Sequence, residues 1–322
     1  MIKKYLLVFL FTIPFLAGCE DEAVSLFAVP GSLKQSPGLP NVDPVTLLAL
    51  TDKIDEPSTR TILEQLTGVL PVSLSTGSDV IEERGSTEGR NTARRYIYEQ
   101  FSSFGLETNL HSFVSSTGKT GENVEALIRG TSEGKHLFVT AHFDSANNPG
   151  ADDNASGVVS LLQAAKALAG QQVSNTIHFV AFDLEEVGLI GSYYYVQDRV
   201  LSLDRSKVIG NYNADMVGHD DGQHRAVFAD CGDAPTMVDV LQKSIEALDL
   251  SINSATACAG GSDHVRFSDQ GIGAVYLTDD FYYGAYPWYH QSLDTADRLD
   301  TVFLSQISKA ITAAAFSLAA GA

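Results

Sequence analysis

Short apolar segments alternate with helical segments along most of this chain, and this alternation limits the possible folds more than any other feature. The apolar segments of strand length are residues 136–141, 176–182, 208–216 and 273–277. The segments whose apolar residues have helical spacing are residues 91–104, 153–168, 188–196, 235–248 and 301–319. The alternation predicts an α/β fold with a mixed, mostly parallel central sheet sandwiched between helices.

Acidic and histidine side chains follow three of the predicted strands, although packing requires no charge there. They are His142 and Asp144 after the first strand, Glu185 and Glu186 after the second, and Asp215 at the end of the third. Asp152 and Asp153 lie between the first two strands, at the predicted start of a helix. Because ligand sites of such sheets lie beyond the carboxyl ends of the strands, we expect these groups to meet at one edge.

Carboxylates that converge in this way raise one another's pKa, and a divalent cation relieves the repulsion. Histidine nitrogen together with carboxylate oxygen suits zinc, and a carboxylate that bridges suits a metal pair. The Glu185-Glu186 pair can supply one metal ligand and one general base. The residues therefore predict a metal centre that performs hydrolysis.

Several segments, taken in chain order, resemble the M28 family of aminopeptidases. They are Ala141-His-Phe-Asp-Ser145, Gly150-Ala-Asp-Asp-Asn-Ala-Ser-Gly157, Glu185-Glu-Val-Gly-Leu-Ile-Gly-Ser192 and Asp215-Met216. Arg84-Gly-Ser-Thr-Glu-Gly89, Ser262-Asp-His264 and Tyr289-His-Gln-Ser-Leu-Asp-Thr295 fit the same family. Each motif alone is weak, but the ordered set is specific. The resemblance covers residues 80–320.

The resemblance implies two zinc ions and a role for each residue of the site. His142 and Asp215 would hold one zinc ion, and Glu186 and His290 the other. Asp153, rather than Asp152, would bridge the two ions through a cis peptide bond to Asn154. Glu185 would take a proton from the attacking water and pass it to the leaving amine. Asp144 and Asp294 would orient His142 and His290, respectively.

The substrate pocket is the part of the site for which the sequence departs from the family pattern. The best-known bacterial members carry a Tyr three residues before the Ser-Asp-His motif, and this chain has Ala259 there. That departure leaves the oxyanion partner open. The aromatic run 281–289 is expected to form a pocket wall. The candidate pocket residues are Ser262, Asp263, His264, Tyr283 and Tyr286.

The amino-terminal segment is expected to direct export. Residues 1–18 have the basic start and short apolar run of a signal peptide, and Leu16-Ala-Gly-Cys19 resembles a bacterial lipobox. We therefore expect lipid on Cys19, a tether over 19–45, a helical lead-in over 46–80 and a peptidase domain over 81–322. The mature protein would be periplasmic or at the cell surface, with the lipid as its membrane contact. Cys231 and Cys258 either pair or remain separate thiols, and the sequence leaves both possibilities open.

The acidic composition narrows the list of partners. The chain has 40 Asp and Glu residues against 21 Lys and Arg residues, without the basic cluster that nucleic-acid binding requires. Peptide substrates are expected, and hydrolysis of their amino-terminal residue is the leading hypothesis. The alternatives are a single-zinc enzyme similar to glutaminyl cyclases and a non-catalytic peptide-binding protein on the same fold. The sequence does not determine the oligomeric state.

Overall fold

The computed structural model describes residues 42–131, 134–279, 284 and 286–320. The predicted signal peptide, Cys19, most of the predicted tether and Tyr283 lie outside the described residues. The described chain forms one compact unit that is assigned to residues 37–322.

An eight-stranded sheet runs through the centre of the molecule in the order β3-β4-β6-β5-β7-β10-β8-β9. Its strands are β3 (Glu107–Val114), β4 (Thr120–Ile128), β5 (His136–His142), β6 (Thr176–Phe182), β7 (Val208–Ala214), β8 (Arg225–Ala229), β9 (Asn253–Ala257) and β10 (Ala274–Thr278). Strands β6, β5, β7 and β10 are parallel neighbours, and β8 pairs in parallel with β9. The other three pairings are antiparallel. The predicted mixed, mostly parallel sheet is confirmed.

Helices cover both faces of the sheet. They are α1 (Pro44–Thr51), α2 (Glu56–Leu66), α3 (Thr87–Ser103), α4 (Gly157–Leu168), α5 (Ile190–Asp198), α6 (Pro235–Ala247), α7 (Val265–Ser268) and α8 (Thr301–Ala319). Residues of α1–α4, α6 and α8 share one hydrophobic core, whereas residues of α5 and α7 contribute to a second core.

The central strands show why two cores form. Leu137, Val139 and Ala141 of β5 pack into the first core, while Phe138 between them packs into the second. Successive side chains of a strand point to opposite faces, so a strand covered on both sides is apolar at nearly every position. That burial explains the continuous apolar segments by which the sequence located β5, β6, β7 and β10.

The expected helical lead-in over residues 46–80 is wrong in its second half. Helices α1 and α2 are present, but β1 (Val72–Leu74) and β2 (Gly77–Asp79) then form an antiparallel hairpin. Leu47, Leu63 and Val72 belong to the first core together with α8. The segment is therefore part of the domain rather than a lead-in to it.

The helix predicted over residues 153–168 begins later than expected. Residues Ala151–Ser156 form an irregular π-type turn, in which Asp153 and Asn154 have non-helical backbone angles, and regular helix starts at Gly157. The peptide bond between Asp153 and Asn154 is cis, as the resemblance implied.

Helix α8 is the one helix among the described residues that is long and apolar enough to cross a membrane, judged by length and composition. Within the fold, 78% of its apolar window is buried. Its apolar character is accounted for by its place in the first core.

Candidate metal centre

The predicted metal ligands converge at one edge of the sheet, although they are far apart in the chain. His142 is the last residue of β5, Glu185 and Glu186 follow β6, and Asp215 follows β7. These three strands are adjacent and parallel, so their carboxyl ends lie side by side. Asp153 reaches the same edge from the turn before α4, and His290 reaches it from the loop after β10.

Asp153 lies between two histidines and presents a different carboxylate oxygen to each. His142 Nε2 is 3.3 Å from Asp153 Oδ1, and His290 Nε2 is 3.1 Å from Asp153 Oδ2. Asp152 points elsewhere, because its Oδ1 accepts the backbone N–H of Gly218 at 2.9 Å. The geometry therefore agrees with the choice of Asp153 over Asp152.

A second carboxylate accompanies each histidine. His142 Nε2 is 3.4 Å from Asp215 Oδ1, and His290 Nε2 is 2.9 Å from Glu186 Oε2. The ligand atoms of His142, Asp153 and Glu186 also lie within 4.8 Å of one another. Nitrogen and oxygen donors at these separations suit a divalent ion such as zinc.

Two further observations fit a metal at this position. The buried atoms His142 Nε2 and Glu186 Oε1 have no hydrogen-bond partner among the described residues. Burial, together with the charge of the neighbouring Asp153, raises the pKa of Glu186 to about 8. Burial also raises the pKa of Asp153, but contacts with His142 and His290 outweigh it and hold that pKa at about 2. A cation would stabilise all of these carboxylates in the charged form that ligation requires.

Glu185 is placed differently from the other acidic groups. Its carboxylate makes no hydrogen bond or ion pair with the described residues, yet it lies within 4.8 Å of the ligand atoms of His142 and Asp215. Burial raises the pKa of Glu185 to about 10, and the charges of Asp263 and Asp215 contribute to that rise. An uncommitted carboxylate beside the ligands can hold and transfer a proton.

Asp144 and Asp294 support the site in a way that the sequence did not predict. The Asp144 carboxylate accepts the backbone N–H groups of Glu185 and Glu186 at 3.0 and 3.2 Å. His142 Nδ1 lies 3.2 Å from the backbone oxygen of Asp144 and 3.5 Å from its carboxylate. Asp144 therefore contacts His142 as expected, but its carboxylate mainly holds the glutamate segment.

The expected contact between Asp294 and His290 is wrong for the described residues. Asp294 accepts the backbone N–H groups of Asp152 and Asp153 at 2.8 and 3.1 Å, together with the hydroxyl of Tyr286. The carboxylate thus fixes the turn that carries the ligand Asp153. Sequence proximity to His290 suggested the other role, whereas the folded chain brings Asp294 to the amino-terminal side of that turn.

The predicted substrate-pocket residues do not line a cavity beside the centre. Ser262 is buried and donates to Asp215 Oδ2 at 2.6 Å, so it orients a ligand. Asp263 and His264 are also buried, and His264 stacks on Tyr276 with 5.0 Å between ring centroids. Tyr286 donates to Asp294, as described above. None of these four residues is among the lining residues of the two cavities described next, and Tyr283 lies outside the described residues.

Two cavities open onto the centre instead. One, of about 460 Å³, is lined by Asp153, Glu185, Asp215, Met216, Ala259, Gly260, Gly261, Tyr276, Gly284 and Tyr289. Tyr289 belongs to the aromatic run that was expected to form a wall, and its ring stacks on His290 at 3.8 Å. Cys231 and Cys258, whose pairing the sequence left open, form a disulfide directly before Ala259. The other cavity, of about 510 Å³, lies on the side of Glu186 and His290.

Sequence reasoning gave no individual role to Arg84, which is fully buried behind the centre. Its guanidinium donates to the backbone oxygens of Phe143, Pro149 and Gly150 at 2.7, 2.7 and 2.6 Å, and to that of Leu66 at 2.6 Å. It thereby ties helix α2 to the segment between His142 and Asp153. The only sequence signal was its place in the motif Arg84–Gly89.

The fold and the site define an α/β protein whose metal centre is of the kind that zinc peptidases use. The model of peptidase family M28 matches residues 123–315, well over half of the chain. The chain belongs to this family, which confirms the membership that the motifs indicated.

Individual relatives agree with this assignment. An aminopeptidase of Bacillus subtilis, YwaD, is 32% identical over 212 residues, which are 62% of this chain and 45% of that protein. The matched part thus spans less than half of that relative. The aminopeptidase LapA of Legionella pneumophila has the same fold, with a TM-score of 0.76 over 90% of this chain and 80% of that chain at 20% identity. A Porphyromonas gingivalis glutaminyl cyclase also shares it, with a TM-score of 0.66 over 81% and 98% at 19% identity.

Proposed function

We propose that this chain is an aminopeptidase that uses two zinc ions to remove the amino-terminal residue of a peptide. The position of Asp153 is the observation that carries this proposal. One carboxylate oxygen faces His142 and the other faces His290, which supports a carboxylate that two ions would share. His142 and Asp215 would complete the ligand set of one ion. Glu186 and His290 would complete the ligand set of the other ion.

Glu185 is the proposed general base. When bound, the metal supplies Lewis acidity that activates water and polarises the scissile carbonyl. The Glu185 carboxylate makes no ion pair with the described residues, and its backbone is held by Asp144. From that position it can accept the proton of the attacking water and donate it to the leaving amine.

The acidic surroundings support selection of a free amino terminus. Asp153, Glu185 and Asp215 line the mouth of the 460 Å³ cavity, and no Lys or Arg is among the described residues that line it. Two bound zinc ions would offset the charges of Asp153 and Asp215, so Glu185 is the lining carboxylate whose charge remains to attract an α-ammonium group. Met216, Tyr276 and Tyr289 give the cavity apolar walls that can receive the side chain of the first residue.

The proposal is tested by replacing Glu185 with Gln in the metal-loaded protein. We expect turnover of aminoacyl chromogenic amides to fall by roughly 10²–10⁴-fold, the usual contribution of a general base. Metal analysis should still find two zinc ions per chain, because Glu185 is not a proposed ligand. Loss of an ion from this variant would instead make Glu185 a ligand. A wild-type protein with one ion that cyclises amino-terminal Gln would favour the cyclase alternative.

We further propose that the mature protein is held at a membrane by lipid on Cys19. The support is the position of Cys19 directly after the small residues that end the apolar run. Metabolic labelling with a radioactive fatty acid should label the wild-type chain and not Cys19→Ala. A labelled Cys19→Ala variant would show that the lipid is elsewhere.

A further inference from the structure

The cavity on the side of Glu186 and His290 is lined by charges of both signs. Its lining includes Asp144, Glu186 and His290 of the metal centre. It also includes Thr87, Arg90, Gly118, Lys119 and Thr120. Its volume of about 510 Å³ is typical of ligand sites, which are about 300–1,000 Å³. In a chain with a net charge of −19, two cations in one such cavity are an unusual concentration.

The two cations differ in their partners within the protein. The Arg90 Nε lies 2.9 Å from Asp183 Oδ1, and its Nη1 donates to the backbone oxygen of Gly85 at 2.5 Å. Asp183 thus neutralises Arg90. The ammonium group of Lys119 makes no ion pair or hydrogen bond with the described part of the chain, and the residue is exposed.

The backbone of Lys119 is nevertheless firmly placed. Lys119 lies in the turn between β3 and β4, where its N–H donates to Ser115 Oγ at 2.8 Å. Ser115 N donates back to the Lys119 oxygen at 2.7 Å, and Gly118 has the positive φ of 81° that the turn requires. The neighbouring Ser116 N–H donates to the hydroxyl of Tyr194 on α5 at 3.0 Å. The flexible part is the side chain alone.

We propose that this cavity receives the carboxyl-terminal part of the substrate and that Lys119 binds its carboxylate. The proposal deepens the aminopeptidase function and rests on it. A peptide with free ends carries a positive charge at its first residue and a negative charge at its last. The cavity lined by Glu185 is placed for the first residue, and the cavity that contains Lys119 supplies a positive charge for the last. The preferred substrates are accordingly short peptides with a free α-carboxylate.

The test compares peptide acids with their amides at equal length. Leu-Gly, Leu-Gly-Gly and Leu-Gly-Gly-Gly are assayed as acids and as carboxyl-terminal amides with the zinc-loaded full chain. For at least one length we expect kcat/KM to be about three- to fivefold higher for the acid, the size expected of an exposed ion pair. In Lys119→Ala this ratio should fall to about one, mainly through KM, and Lys119→Arg should retain it. Raising the ionic strength should reduce the wild-type ratio.

Lys166→Ala is the matched control, because Lys166 is an exposed lysine of α4 that is not among the residues lining the cavity. It should leave the acid-to-amide ratio at its wild-type value. A wild-type ratio of one at every length, or an equal loss for acid and amide in Lys119→Ala, would overturn the proposal.

A binding measurement separates this proposal from the proposed function. The product Gly-Gly and its amide are titrated into the zinc-loaded protein by calorimetry. We expect Gly-Gly to bind to the wild-type protein about three- to fivefold more tightly than its amide does. If no leucyl substrate is turned over, the aminopeptidase function fails, while the titration still decides whether Lys119 selects a carboxylate. Equal binding of acid and amide would contradict the role of Lys119.

Discussion

The two histidines of the metal centre are held in very different surroundings. His142 ends a central strand, and its side chain is 1% exposed. His290 comes from a loop, has a positive φ of 55° and a side chain that is 41% exposed. Both contact the same carboxylate of Asp153. One half of the site is therefore built into the core, whereas the other half is completed by a loop at the surface.

This difference predicts that the two halves of the site bind metal with different affinities. A ligand fixed by the sheet is prepared before metal arrives, because packing already restricts its rotamers. A ligand on an exposed loop must be ordered when the ion binds, which costs conformational entropy. We therefore expect the ion beside His142 and Asp215 to bind more tightly than the ion beside His290 and Glu186.

The largest effect should come from removing either histidine, but the two variants should differ in metal content. His290→Ala should keep about one zinc ion per chain, while His142→Ala should bind less than one. Turnover should fall by more than about 10²–10³-fold in both, as for the loss of a group that stabilises transition-state charge. Metal analysis after dialysis measures the content. Equal retention of one ion in both variants would contradict the expected difference between the two histidines.

The next largest effect concerns Arg84, which holds the buried half. Arg84→Met would leave the buried carbonyl groups of Leu66 and Phe143 without their donor. Breaking such a buried charged network should lower the free energy of unfolding by about 3–5 kcal/mol. Urea unfolding of the metal-free protein measures it. Arg129→Met is the control, because the Arg129–Glu107 pair is 65% and 45% exposed and should contribute less than about 1 kcal/mol. Similar losses in both variants would refute the role of Arg84.

The smallest effect distinguishes the two supporting carboxylates. Asp294→Asn should weaken zinc binding by about 10–100-fold, because the amide replaces a carboxylate that accepts the N–H groups of Asp152 and Asp153. Asp144→Asn should reduce kcat as well as zinc affinity, because Asp144 holds the backbone of Glu185 and of the proposed ligand Glu186. Zinc titrations and steady-state kinetics on both variants separate the two effects. An Asp294→Asn protein with normal affinity and reduced kcat would reverse this assignment.

Arg84 donates to four backbone carbonyl groups, and Asp294 accepts two backbone N–H groups. These contacts show what sequence patterns could not predict. Both residues act on backbone groups, and nothing in the identity of a residue tells which distant peptide group it will contact. For the same reason, the sequence did not predict that Ser262 and Tyr286 hydrogen-bond with Asp215 and Asp294. Strands β3, β4, β8 and β9 were also not predicted; of these, the edge strands β3 and β9 lack the continuous apolar run of doubly covered strands.

The sequence alone determined the central strands, the class of fold and the set of residues that converge on the centre. Its signals were strong because burial on both faces requires apolar residues, and because several acidic groups at one sheet edge require a compensating charge. Only the tertiary structure decided which carboxylate oxygen faces which histidine, which carboxylates hold backbone rather than side chains, and where the cavities lie. Those features depend on distances between segments that are remote in the chain, and such distances are set by packing rather than by local residue preference.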